Sequence, residues 1–118
     1  IELIEQFMNK HWSDSLVCQY GLILGTDELM RLAKAEKWLK GQADNPTLLL
    51  TLGRLSHANQ LWAKAETYLR SSLEFSERGE TYLVLAEVLE SKGEAELATT
   101  FYKQGLTTML SKVMTKLH

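Results

Sequence analysis

Residues 33–40 read AKAEKWLK, residues 63–70 read AKAETYLR, and residues 97–103 carry a weaker copy, LATTFYK. In each copy a small residue precedes two polar residues, an aromatic residue, a second large residue and a basic residue. The first copy begins at Ala33 and the second at Ala63. Self-similarity at intervals of this length is typical of proteins built from stacked repeats.

A second marker accompanies the last two copies. The residues LLTLG end at Gly53, upstream of the second copy, and YLVLA ends at Ala86, upstream of the third. The interval from Gly53 to Ala86, which we name the repeat step, equals the interval from Ala65 to Ala98 within the copies themselves. Because two independent markers share one period, we interpret the chain as a repeat protein with a unit of about 33 residues.

Each unit has the order that a pair of packed helices requires. A small residue on the first helix is followed 12 positions later by a small residue on the second. Facing small side chains let two helix backbones approach, and larger residues one turn away then interlock. The residues predicted to pack in this way are Leu49, Leu52, Gly53, Ala65, Leu69, Tyr82, Leu85, Ala86, Ala98 and Tyr102.

The composition favours helices throughout. The chain has 118 residues, with 22 leucines against four valines and three isoleucines, and its one proline is Pro46. Leucine keeps its rotamer freedom in a helix, whereas β-branched residues favour strands. We therefore predict an all-α domain, an α-solenoid of about three helix-turn-helix repeats with a leading half repeat and about seven helices.

Capping residues mark where the helices begin. Ser13 or Asp14 can cap one helix, Thr26–Asp27 the next, and Asn45 before Pro46 a third, since proline suits the first helical position. Gly41 is a predicted stop for the helix before it. The predicted division is residues 1–10 as the second helix of a truncated repeat, 13–41 as repeat 1, 45–76 as repeat 2, and 79–115 as repeat 3 with an extended C-terminal capping helix.

The first unit departs from the spacing of the others. Gly21 and Ala35, its two small residues, are 14 positions apart rather than 12. We explain the difference by a two-residue insertion near residues 25–28.

The repeat unit resembles a known family. Leu49, Leu52, Gly53, Ala65 and Leu69 match the tetratricopeptide (TPR) signature at most of its diagnostic positions, and the third unit matches with alanine in place of the glycine. The resemblance implies a TPR-like solenoid over nearly the whole chain.

A narrower resemblance covers residues 35–106, which are similar to the C-terminal region of HemY proteins. It rests on the stretch NPTLLLTLGRLSHANQLWAKAETYLRSSL at residues 45–73. HemY proteins are bacterial inner-membrane proteins associated with protohaem biosynthesis. The resemblance implies a non-catalytic protein–protein interaction scaffold whose partners include enzymes of late haem synthesis. It also implies membrane helices and further repeats upstream of Ile1, with this segment a soluble domain of an inner-membrane protein.

Several classes of function are disfavoured by the composition and motifs. A net charge of −2 argues against a nucleic-acid binder, which usually has a basic surplus. No phosphate loop, nucleophile elbow or paired-histidine metal motif occurs, and the three histidines are far apart. No apolar run approaches the ~20 residues that span a bilayer. We predict a non-enzyme without catalytic residues, cofactor or metal, in contact with neither nucleic acid nor membrane.

A binding groove is the predicted functional surface. In the TPR arrangement the first helices line a concave face, and residues off the packing stripe point into it. The groove residues implied in this way are Thr47, Leu50, Thr51, Arg54, His57, Leu83, Glu87 and Glu90, together with Glu80 in the third unit and Cys18 and Leu22 in the first. The second unit is then basic and polar and the third acidic, which suits a protein segment of mixed charge.

Two alternatives remain open. Cys18 and His57 both carry haem-ligating groups, and Arg54 could pair with a propionate, so a porphyrin-binding or porphyrin-sensing module is one alternative. The other is a TPR adaptor of an unrelated envelope-assembly or regulatory protein. Binding of added haem separates the scaffold from the porphyrin module.

The remaining apolar residues are predicted to join neighbouring repeats. Trp38, Tyr68, Phe101 and Tyr102 occupy equivalent places on second helices, and Trp62 begins such a helix. The tail continues an apolar stripe, which we expect to cap the end of the array, with a partner-binding or membrane-surface helix as the alternative. The stripe consists of Leu106, Met109, Leu110, Val113, Met114 and Leu117.

Overall fold

A computed structural model describes residues 2–8, 10–23 and 28–117. Within these ranges the chain forms seven α-helices and no strand, which confirms the predicted all-α class and the number of helices. No helix within them is both long enough and apolar enough to cross a membrane. The helices are α1 (Glu2–Met8), α2 (Asp14–Leu22), α3 (Glu28–Lys37), α4 (Pro46–Ala58), α5 (Trp62–Phe75), α6 (Gly79–Ser91) and α7 (Ala95–Leu117).

Two predicted caps are confirmed. The Ser13 hydroxyl accepts a hydrogen bond from the Leu16 amide at the start of α2. The Asn45 side chain accepts two, from the amides of Thr47 (2.9 Å) and Leu48 (3.1 Å), and Pro46 is the first residue of α4. These bonds satisfy amides that have no partner within the helix. The predicted cap at residues 26–27 lies outside the described residues, as does most of the predicted insertion.

Helix α3 is shorter than predicted, because it ends at Lys37 and not near Gly41. From Trp38 to Lys40 each amide bonds the carbonyl three residues back, so the chain leaves the α-helix through tighter turns. Gly41 follows within these turns, with a φ of +93° that favours glycine.

Helices α4 and α5 run antiparallel and touch closely. The Ser72 hydroxyl donates to the Pro46 carbonyl at 2.8 Å. Further along, Gly53 meets Leu69 so closely that a Cβ on Gly53 would lie 2.5 Å from a Leu69 methyl carbon. Glycine at this position therefore makes room for the leucine of the partner helix.

The same pairing recurs one unit later between α6 and α7. A Cβ on Gly79 would lie 2.8 Å from the carbonyl oxygen of Gly105. Gly79 and Gly105 follow Pro46 and Ser72, respectively, by the repeat step found in the sequence. The two helix pairs thus meet at equivalent positions.

The core consists of two buried clusters that share α4. Leu50 belongs to the cluster between α4, α5, α6 and α7, whereas Leu48, Leu52 and Leu55 belong to the cluster that α4 forms with α1, α2 and α3. All ten residues predicted to pack are buried except Tyr102, which is half-buried. Helix α4 is therefore the central element of the fold.

One expectation about the apolar residues is corrected. Trp62 does not join repeats, because its side chain is exposed at the start of α5. Along the tail only Met109 packs, against Gly79, while Leu106, Leu110, Val113, Met114 and Leu117 are exposed. Five of the six residues of the stripe are thus exposed, and the capping of the array by this tail stays a prediction.

Candidate functional site

Helices α2, α4 and α6, which correspond to the predicted first helices of the three units, lie side by side. Helix α2 contacts α4 through a hydrogen bond of 2.9 Å from the Thr51 hydroxyl to the Val17 carbonyl. Helix α4 contacts α6 through polar side chains. We name the resulting surface the polar strip; it consists of Cys18, Arg54, His57, Glu80 and Ser91.

Arg54 is the centre of the polar strip. Its guanidinium forms an ion pair with the carboxylate of Glu80 on α6, and its Nη1 lies 3.9 Å from the Cys18 sulfur on α2. The Arg54 side chain is 13% exposed and that of Glu80 is 49% exposed. One side chain thus connects three helices, and its acidic partner remains accessible to a ligand.

His57 lies in the last turn of α4, one turn after Arg54. Its Nε2 is 3.1 Å from the hydroxyl oxygen of Ser91, and that hydroxyl also lies 3.2 Å from the Glu87 carbonyl. The imidazole is therefore held by α6 through a weak surface contact. A ligand that takes Nε2 has to displace Ser91.

A further link between α4 and α6 was not predicted. Arg78, in the turn before α6, donates from Nη1 to the Thr47 hydroxyl at 2.8 Å. The sequence gives only a weak indication of this bond, because Arg78 follows Thr47, a predicted groove residue, by 31 positions. Arg78 adds a second guanidinium to the polar contacts between these helices.

The predicted groove is only partly open. Thr47, Leu50 and Thr51 are buried, with 6%, 1% and 0% of their surface exposed, which corrects the expectation that they line it. The reason is that α2 and α6 both pack against α4. Of the α4 residues predicted there, only Arg54 and His57 reach the surface.

The groove residues predicted on α6 remain accessible. Leu83 is half-buried, and Glu87 and Glu90 are exposed. They differ from their counterparts on α4 because, among the described residues, α7 touches Leu83 and Glu90 but leaves this side of α6 accessible.

Three tyrosines donate hydrogen bonds to glutamates of another helix, a pattern that was not predicted. Tyr20 bonds Glu5 at 2.7 Å, while Tyr68 bonds Glu36 and Tyr102 bonds Glu90. The hydrogen bond to Glu90, together with burial, raises the pKa of Tyr102 to about 12. Burial, followed by the bond to Glu5, raises the pKa of Tyr20 well above its usual range. These phenols are structural donors at neutral pH.

An open depression of about 730 Å³ lies between α5, α6 and α7. Its wall includes the stacked rings of Tyr82 and Phe101, 6.1 Å apart, with the Arg70 guanidinium 5.4 Å from the centre of the Phe101 ring. No residue of the predicted groove lines it. Within the described ranges, no three His, Cys, Asp or Glu side chains cluster in a way that could hold a metal ion.

No family model, no curated protein and no solved structure matches this chain.

Proposed function

We propose that this chain is a non-catalytic TPR-like scaffold that binds segments of other proteins along the polar strip. The observation that carries the proposal is the row formed by α2, α4 and α6, across which Arg54 connects Cys18 and Glu80. The recurrence of the α4–α5 contacts in α6–α7 at the repeat step supports a repeat architecture. Adjacent first helices form an extended binding surface in such proteins.

The chemistry of the strip suits a peptide segment with both charges. Glu80 is half-exposed beside the Arg54 guanidinium with which it pairs, so a charged group of a ligand can replace either partner in this ion pair. Leu22 at the end of α2 is 54% exposed and offers an apolar contact beyond the charges. Apolar contacts then supply affinity, while the charges select the register of the bound segment.

The family proposal is a HemY-like inner-membrane protein linked to late haem or porphyrin biosynthesis. It is supported by the similarity of residues 45–73 to HemY proteins. Enzymes of that synthesis are then the partners that the scaffold would bring together.

The test compares proteins captured by the immobilised chain with those captured by charge variants. Arg54→Glu removes the ion pair, whereas Arg54→Glu combined with Glu80→Arg restores it with the charges exchanged. We expect neither variant to capture a specific partner, because the charged groups of that partner then meet residues of like charge. Lys40→Glu, at an exposed position away from the strip, is the matched control. Retention of the partner by the exchanged pair contradicts the proposal.

A second candidate function is supported by the contact between Cys18 and Arg54. A thiolate can ligate haem iron, and a guanidinium can pair with a propionate. If the chain binds haem there, haem added to it shows a shifted Soret band that disappears in Cys18→Ala. An unchanged Soret band in the wild-type chain contradicts this alternative and leaves the scaffold proposal intact.

A further inference from the structure

The positions on the preceding helix pair that hold helix α6 include Leu50, Arg54, His57 and Leu73. Leu50 on α4 is buried against it, and Leu73 on α5 packs on the same cluster. Arg54 pairs with Glu80, and His57 contacts Ser91. The four side chains Leu50, Arg54, His57 and Leu73 therefore form a receptor surface for one helix.

The same four positions recur one unit later without a helix upon them. One repeat step after Leu50, Arg54, His57 and Leu73 the sequence has Leu83, Glu87 and Glu90 on α6 and Leu106 on α7. We name these four residues the end face. Leu83 is half-buried, the two glutamates are exposed, and Leu106 is 56% exposed. No helix within the described ranges covers the end face.

The end face differs from the α4–α5 surface in charge. Glu87 takes the place of Arg54, and within the described residues its carboxylate forms no ion pair. Glu90 takes the place of His57 and accepts a hydrogen bond from Tyr102. On the α4–α5 surface the basic Arg54 pairs with the acidic Glu80 of α6. The end face has the acidic Glu87 at that position, so a helix that binds there needs a basic residue where α6 has Glu80.

We propose that the end face binds an amphipathic helix of a partner protein, with a lysine or arginine at the position that Glu80 has in α6. In α6 the large apolar residues of the core cluster that contains Leu50 and receives Leu73 are Val84, Leu85, Val88 and Leu89, so the bound helix carries apolar residues four, five, eight and nine positions after its base. This helix-in-groove binding uses the packing that already holds α6. The end face is separate from the polar strip, so the inference does not depend on the proposed function.

The probe for this site is a copy of α6 itself. A labelled peptide of residues 78–92 carries Glu80, and a second peptide carries the substitution Glu80→Lys. We expect the Glu80→Lys peptide to bind the chain roughly fivefold more tightly by fluorescence anisotropy, since an attraction to Glu87 replaces a repulsion. Glu87→Lys in the chain reverses the preference between the two peptides.

The controls separate the end face from other surfaces. Glu74→Lys makes the same change in net charge at another exposed glutamate, and it leaves the preference between the peptides unchanged. Leu106→Ser weakens binding of both peptides, because it removes the apolar side of the site.

Three outcomes overturn the proposal. One is that neither peptide binds, and another is that the preference survives Glu87→Lys. The third is a dimer of the chain in sedimentation that Leu106→Ser dissociates, because a second copy then occupies the end face. Glu87 is exposed, so its replacement does not disturb folding, and circular dichroism verifies the helix content of each variant.

Discussion

Gly105 on α7 meets Gly79 on α6 so closely that a Cβ on Gly105 would lie 3.0 Å from the Gly79 carbonyl oxygen and 2.8 Å from a Leu83 methyl carbon. The contact sets the distance between the last two helices. Because the first of these atoms belongs to the backbone, an added side chain cannot be accommodated by a change of rotamer.

Gly105→Ala is therefore expected to destabilise the fold, although alanine is the better helix former. Overpacking costs about 1–3 kcal/mol, which exceeds the ~1 kcal/mol that alanine gains over glycine in a helix. The free energy of unfolding in urea measures the difference. Thr107→Ala, at an exposed position of the same helix, changes it by less than about 0.5 kcal/mol. A more stable Gly105→Ala protein would show that α6 and α7 can separate freely.

Gly53→Leu is expected to lower the free energy of unfolding by about 1–3 kcal/mol, since even its Cβ would lie 2.5 Å from Leu69. Leu69→Ala alone leaves a cavity and costs about 2–5 kcal/mol. The double variant is expected to lose less free energy of unfolding than the two single variants lose together, because the new leucine fills the space that Leu69 leaves. Ala63→Leu, at an exposed position of α5, is nearly neutral. Strict additivity would contradict the assigned contact.

Stability is expected to fall in acid through Glu66. Its carboxylate accepts bonds from Lys92 at 2.7 Å and from Arg70 at 2.8 Å. The bond from Lys92, with a smaller contribution from Arg70, lowers the pKa of Glu66 below its ordinary 4.5 against the opposing effect of burial. The contribution is present above about pH 4.5 and is lost as the pH falls through the lowered pKa.

Glu66→Gln tests this pH dependence. Urea unfolding of the wild type and of Glu66→Gln is compared at about pH 6 and about pH 3. Between these two pH values Glu66→Gln is expected to lose less free energy of unfolding than the wild type, because it has no carboxylate to protonate at this position. Asp44→Asn replaces an exposed acid that forms no ion pair with Lys92 or Arg70, and it is the matched control expected to lose as much stability as the wild type. Equal slopes for the wild type and Glu66→Gln would exclude this contribution.

Alkaline titration is expected to show the bond between Tyr102 and Glu90. The pKa of Tyr102, raised to about 12, exceeds the ordinary value of 10, so the bond stabilises the fold below pH 10. That stabilisation is lost as the pH rises from 10 towards 12. Absorbance of the phenolate follows the ionisation, and Glu90→Gln shifts it to lower pH. A Tyr102→Phe difference spectrum identifies which phenol titrates.

The helices and their caps could be predicted because their signals are local. Asn45 before Pro46 marks the start of α4, and the leucine excess favours helices over strands. The end of α3 was predicted too late, at Gly41 rather than Lys37, because the tight turns between them leave no mark in composition. The burial of Leu50 and Thr51 could not be predicted either, since it depends on where α2 and α6 lie beside α4.

The sequence by itself determined the helical class, the register of the repeat step and the small residues where helices cross, because each depends on spacing along one chain. Tertiary structure alone decided which of these residues a ligand can reach. Arg54 and Glu87 occupy the same position in successive units, yet one is held by the next helix and the other is exposed. The difference arises because a neighbouring helix covers the first position and no described helix covers the second.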